Sequence, residues 1–167
     1  MTDTTTTTST TTTGTSTTDD AAAAPPGGLR LLPVDDDLDT GGFFDAARRG
    51  ELVVRRCNGC DVVLHLPRMY CRHCRSWDGR WAQVNGRASL YSWTVVTHQV
   101  HPAYPVPYTV ILVDLDDHPG TRLVGQLAGT PMLEAGMPLE VWFEQAGEVD
   151  GRPVVLPQWR LTEASLP

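Results

Sequence analysis

Four cysteines are the only thiols in this 167-residue sequence, and they fall as two CxxC pairs, Cys57-Asn58-Gly59-Cys60 and Cys71-Arg72-His73-Cys74, with ten residues between them. Two such pairs let two tight turns offer four thiolates to one tetrahedral zinc, and the spacer is long enough to leave one turn and return to the other. Redox dithiols, disulfides or four free thiols are the alternatives. A reducing cytoplasm, where we expect the protein, favours the metal. Because protein ligands then fill all four positions, a single structural zinc is expected to hold the fold and to perform no reaction.

Other side chains with chemical capacity are placed less favourably. His98 and His101, three residues apart in an expected strand, would point to opposite faces. His65 and His73 flank the cysteine pairs and, beside four sulfurs, are read as exposed or as supporting the ligands. Asp114, Asp116 and Asp117 next to His118 could share acid–base work, but such residues ordinarily solvate a hairpin tip. The sequence holds no GxSxG, no HExxH and no glycine-rich phosphate loop, and zinc leaves no cysteine free as a nucleophile. It also has no lysine, which excludes a Schiff base and a phosphate-loop lysine.

Charge is spread unevenly. Residues 43–84 carry eight arginines against four acids, whereas residues 85–167 carry four arginines against nine acids, within a net charge of −7. Guanidinium groups bind phosphate and carboxylate bidentately, so Arg56, Arg68, Arg72 and Arg75 around the cysteines are candidate ligand-binding residues. Their ligand could be nucleic acid, the phosphates of coenzyme A, or a protein carboxylate. A non-specific nucleic-acid binder presents a basic groove on its barrel, and the acidic second half here ranks nucleic acid last. Tyr104, Pro107, Tyr108 and Trp142 are the candidate partner interface, since exposed aromatic residues dominate such contacts.

These residues need elements to position them. Residues 1–28, almost all Thr, Ala, Pro and Gly, cannot bury enough apolar surface to offset ordering and are expected to be a disordered tail. Residues 29–52 form an N-terminal segment with a short helix from Phe43 to Leu52, its last turn basic and Gly50 at its close. Residues 53–79 form the ribbon, with one strand over Val53–Arg56 and a second over Val62–Leu66. Residues 80–161 alternate as strands Ser89–Thr97, Pro107–Leu115, Thr121–Ala128, one through Leu139–Phe143, and Val154–Leu161, with Asp116–Gly120 as a hairpin loop and Gln145–Arg152 as a turn region. Five strands with Gly86, Gly125 and Gly136 at bends suggest a small OB-type barrel, and residues 162–167 a C-terminal tail. No window is apolar enough to span a membrane, and the N-terminus has neither a basic nor an apolar leader region, so a soluble protein is expected.

The ordered string Gly50-Glu51-Leu52, Arg56-Cys57-Asn58-Gly59-Cys60, Pro67-Arg68, Cys71-Arg72-His73-Cys74, Trp81, Gly86 to Thr94, Pro107-Tyr108 and Gly136 to Val141 resembles the DUF35 family. The likeness covers roughly residues 40–161. It departs where a glycine often follows the second cysteine (here Asp61), at the first proline of Pro-Pro-Arg (Leu66), and where a proline often follows the third cysteine (Arg72). The resemblance implies a mainly β chain with an N-terminal helix, a rubredoxin-like zinc ribbon and a five-stranded OB-fold. It further implies a non-catalytic partner of thiolase-fold acyl-CoA enzymes: thiolases, polyketide-type acyltransferases, or lipid-transfer-protein-like aldolases that shorten steroid side chains. In some relatives a MaoC-like hydratase is fused or associated. This chain, read as stand-alone, fits the lipid or steroid aldolase setting, inactive on its own, with a coenzyme A thioester held through the complex. A nucleic-acid-binding ribbon and barrel module is the alternative.

Overall fold

A computed structural model describes Met1 and residues 30–162. The tail expected over 1–28 lies, Met1 apart, outside the described residues, as does the C-terminal tail from 163.

The described chain opens with helix α1 (Gly41–Arg48). Asp37 prepares its entry by accepting the backbone N–H groups of Asp39 and Thr40, each at 2.7 Å. Its end is a glycine stop: Gly50 adopts φ 74°, and the N–H groups of Gly50 and Glu51 turn back to the carbonyls of Ala47 and Ala46. This is where the basic Arg48 and Arg49 and the following glycine pointed, although the helix ends before Leu52. Eight residues cannot hold a helix in water unaided. Arg48 supplies tertiary support, donating to the Pro153 carbonyl at 2.9 Å and pairing with the buried Asp35.

Strand β1 (Val53–Cys57) then pairs antiparallel with β2 (Gly79–Gln83) over five residues. The expected partner, Val62–Leu66, makes only a single bridge, Val63 to Arg56. The chain there must still swing to the second cysteine pair and is stopped by Pro67, whereas the segment after Cys74 runs back alongside β1 for its full length. The ribbon therefore closes on a strand that follows the second pair.

The remaining strands are β3 (Arg87–Val96), β4 (Tyr108–Leu115), β5 (Arg122–Ala128), β6 (Pro138–Val149) and β7 (Arg152–Leu161). They form one antiparallel sheet in the order β5-β4-β3-β6-β7. Its ends approach each other, for Gly125 of β5 sits against the Trp159 indole of β7, and the Gln126 N–H reaches the Gln158 side chain at 3.4 Å. The result is the five-stranded, partly open OB-fold barrel. Residues 145–149 are strand and not turn: β6 and β7 make one long hairpin whose connection is Asp150-Gly151, with φ 50° and 76°. Two consecutive positive φ values are what a tight two-residue hairpin requires, and Asp-Gly is well suited to supply them.

One buried cluster joins the parts. Ile111, Val113, Leu115, Leu139 and Trp159 of the barrel pack with Leu52 and Val54, which stand at the entrance to the ribbon. β4 shows the alternation, with Thr109, Ile111, Val113 and Leu115 buried and their neighbours half-buried. α1 is fitted against the same body through Gly42: a Cβ there would stand 2.0 Å from Trp81 Nε1. Gly42→Ala should therefore destabilise the protein. Overpacking a rigid indole costs about 1–3 kcal/mol and outweighs the gain of about 1 kcal/mol in helix propensity; a denaturant midpoint that rises would contradict this packing.

Candidate metal centre

Both cysteine pairs are built as the same turn. In the first, Asp61 N–H donates to the Cys57 carbonyl at 2.9 Å and Cys57 N–H to Val62; in the second, Arg75 N–H donates to the Cys71 carbonyl at 2.8 Å and Cys71 N–H to Ser76. The residue after each pair closes the turn with a left-handed backbone, φ 61° at Asp61 and 63° at Arg75. This explains why glycine suits the position after the second cysteine and how Asp61 stands in for it, since a short carboxylate side chain tolerates that region. Asp61 also gains partners there, pairing with Arg56 and, at 2.6 Å, with Arg80. Gly59 makes room for the sulfurs, because a Cβ on it would lie 3.2 Å from Cys74 Sγ.

The two turns bring all four sulfurs within 4.8 Å of one another. Cys57 and Cys74 are 3.3 Å apart and Cys60 and Cys71 3.6 Å. A zinc tetrahedron with bonds of about 2.3 Å has sulfur edges of about 3.8 Å, while a disulfide needs about 2.0 Å. The donor set and its spacing fit zinc, and the four sulfurs of Cys57, Cys60, Cys71 and Cys74 would hold it. Cys57 and Cys71 are buried and Cys74 is exposed, so one edge of the site faces solvent. The Cys74 and His73 N–H groups, against the opposing pull of burial, hold the Cys71 thiol down at about 6. Although the Val62 N–H works the other way, burial and the other three sulfurs push the Cys60 thiol up to about 12. Zinc binds thiolates, so metal uptake is coupled to release of thiol protons.

The other predicted site residues sort into groups. Arg56 is engaged by Asp61 and by its carbonyl, whereas Arg68, Arg72 and Arg75 are exposed without an ion-pair partner among the described residues. Tyr104, Pro107, Tyr108 and Trp142 do come together, lining one groove of about 560 Å³ with Gln126, Gln158 and the Arg30–Glu144 pair. His98 and His101 lie beyond the end of β3 at Val96, and not in a strand; His101 Nδ1 accepts the Ala103 N–H at 3.2 Å. The aspartates of the hairpin loop are occupied: Asp114 accepts from Gly120 and Arg122, Asp116 from Ser89, and Asp117 from Asn85.

About one zinc per chain is expected by elemental analysis of the purified protein. Cys57→Ser or exhaustive chelation should collapse the ribbon, as structural zinc in small modules supplies on the order of 10 kcal/mol; a metal-free protein with an unchanged thermal midpoint would defeat the assignment. The left-handed turn makes a separate forecast. Arg75→Gly should leave stability nearly unchanged, because relief of the left-handed strain offsets the added chain entropy, whereas Arg75→Val should lose about 1 kcal/mol or more in a denaturant titration.

Two family models match the chain: ChsH2, rubredoxin-like zinc ribbon domain, over residues 44–78, and ChsH2, C-terminal OB-fold domain, over residues 81–144. A curated protein of Thermomonospora curvata, "Probable enoyl-CoA hydratase alpha subunit", is 39% identical over 114 residues, which are 66% of this chain and 35% of that protein. The chain thus spans about a third of that relative's length. A solved structure, "Ltp2-ChsH2(DUF35) aldolase", matches with a TM-score of 0.65 and 35% identity, covering 75% of this chain and 95% of the matched one. With both halves matched in order, and nearly all of that solved chain covered, this protein belongs to the DUF35 family of ChsH2-type zinc-ribbon and OB-fold proteins.

Proposed function

We propose that this chain is a non-catalytic accessory subunit that docks on a thiolase-fold acyl-CoA enzyme, most specifically a lipid-transfer-protein-like aldolase or thiolase of lipid or steroid side-chain degradation. The single observation that carries this reading is the match, over 95% of its length, to a chain solved as part of an Ltp2–ChsH2(DUF35) aldolase. The relative named as an enoyl-CoA hydratase subunit supports an acyl-CoA setting and a MaoC-like hydratase as a further associate. In this setting the partner supplies the nucleophile or base, and this chain orders the assembly and the thioester-binding region in the cytoplasm. The aromatic groove of Tyr104, Pro107, Tyr108 and Trp142 offers a partner a rigid apolar contact. A polyketide-type acyltransferase is a related partner on the same logic.

A second reading, nucleic-acid binding, draws on Arg68, Arg72 and Arg75, exposed and without carboxylates among the described residues. Among those residues no helix is long and apolar enough to cross a membrane. The discriminating experiment is co-expression with a lipid-transfer-protein-like thiolase-fold enzyme of the same organism, followed by size-exclusion chromatography and an acyl-CoA aldol-cleavage or thiolysis assay. A stable heteromer whose activity exceeds that of either chain alone is the expected outcome. Separate elution, with the enzyme fully active alone, would refute the accessory reading; salt-sensitive retention on single-stranded DNA would favour the second.

A further inference from the structure

Thirteen arginines supply all the basic charge of Lys and Arg in the sequence. Eight of them are ion-paired, and Arg55 is buried against Trp81, with 5.5 Å from its guanidinium carbon to the ring centre. Among the described residues, the exposed arginines without a carboxylate are Arg68, Arg72, Arg75 and Arg87. Three of these four fall within the loop that carries the second cysteine pair. Among the described residues, unpaired arginine charge is concentrated on the ribbon.

Apolar surface is concentrated beside it. Leu38, Leu66 and Trp77 are 85%, 69% and 68% exposed and line one cavity of about 970 Å³ together with Met69 and Arg68. Leu66 and Arg68 also line a second cavity that runs on to Arg72, so the two form a continuous face. Large apolar side chains gathered at a surface, rimmed by charge, mark an interaction site more than a solvated one. The face is also held in place. The Trp77 ring rests on Tyr70 with centroids 5.0 Å apart, and the Met69 N–H is tied to Asp39 at 2.7 Å. A preformed Trp beside unpaired arginines is the usual make-up of a binding hot spot.

We infer that this ribbon face is the surface on which the partner enzyme docks, an apolar contact at Leu38, Leu66 and Trp77 rimmed by that enzyme's own carboxylates reaching Arg68 and Arg72. The inference rests on the accessory reading above and names the surface that the reading requires. Charge complementarity selects the occupant. The far wall of the cavity carries Asp36, Asp37 and Asp39, with Asp37 and Asp39 already accepting backbone N–H groups. A continuous polyphosphate laid along the face would meet these carboxylates. A folded protein can set separated carboxylates against the arginines alone and fill the centre with apolar side chains.

The test uses the full chain and the thiolase-fold enzyme of the co-expression experiment, with affinity measured by titration at two salt concentrations. Arg68→Glu, Arg72→Glu and Trp77→Ala should each weaken the complex about tenfold or more, the arginine reversals with a flatter salt dependence. Arg87→Glu, an equally unpaired arginine outside the ribbon, should change affinity less than about threefold. Thermal midpoints check folding, and the exposed Arg68 and Arg72 carry the test if Trp77→Ala melts early. Unchanged affinity in the ribbon variants with the wild-type complex intact would overturn this surface and leave the accessory reading standing. No complex from the wild-type chain would overturn both. Binding of a single-stranded DNA oligomer that is lost in Arg68→Glu would overturn it in favour of nucleic acid.

Discussion

The ribbon has almost no core of its own, and the convergence of four sulfurs is what the surrounding structure depends on. Between Asn58 and Gln83 the one buried residue is Cys71. A loop of this length without buried aliphatic side chains cannot offset its ordering entropy by hydrophobic burial. The cysteine turns provide the alternative. Two left-handed closures, at Asp61 and Arg75, aim four Sγ atoms at a common centre, and a metal held there would replace the missing core. Everything displayed by the loop, from Leu66 to Trp77, inherits its position from that centre.

The sulfur centre would still be an appendage if it were not welded to the barrel. Cys57 ends β1, and the same strand contributes Val54 to the buried cluster that includes Ile111, Leu139 and Trp159. β2 then returns beside β1 and delivers Val84 to that cluster. Trp81, midway, contacts both the buried Arg55 and the close-packed Gly42 of α1. Helix, ribbon and barrel are thus coupled through one strand pair. The N-terminal segment adds a second coupling, since Asp35 accepts from Arg152 of β7 at 2.9 Å and also pairs with Arg48 of α1.

Much of this was legible in the sequence because the signals were local. CxxC spacing fixes the four ligands, Gly50 after two arginines marks a helix stop, and β4 reads as a strand from its own run of apolar residues. The sequence misleads where the outcome depends on a partner. Val62–Leu66 has strand composition, yet β1 is satisfied by Gly79–Gln83, whose Gly-Arg-Trp-Ala-Gln carries no β-branched residue. The extent of β6 and β7 is masked because Gln145–Arg152 is rich in turn formers; the decisive cue is the adjacent pair Asp150-Gly151, which confines the reversal to two residues. The ribbon face was illegible for a different reason. Leu38 lies in a different segment from Leu66 and Trp77, and only the fold places the three together at the surface.

A division of labour follows from which groups are already spent. The aspartates weighed for acid–base chemistry tie loops together: Asp114 accepts from Gly120 and Arg122, Asp116 from Ser89, and Asp117 from Asn85. The sulfurs that could have served as nucleophiles face one another within 4.8 Å, a geometry that favours shared metal over exposed thiolate. What stays at the surface among the described residues is of another kind: the Trp142 indole, the apolar side chains of Leu38, Leu66 and Trp77, and the exposed arginines Arg68, Arg72 and Arg75 without carboxylates. Those are groups of recognition. The side chains left at the surface are thus suited to contact, which is what the accessory role proposed above requires of them.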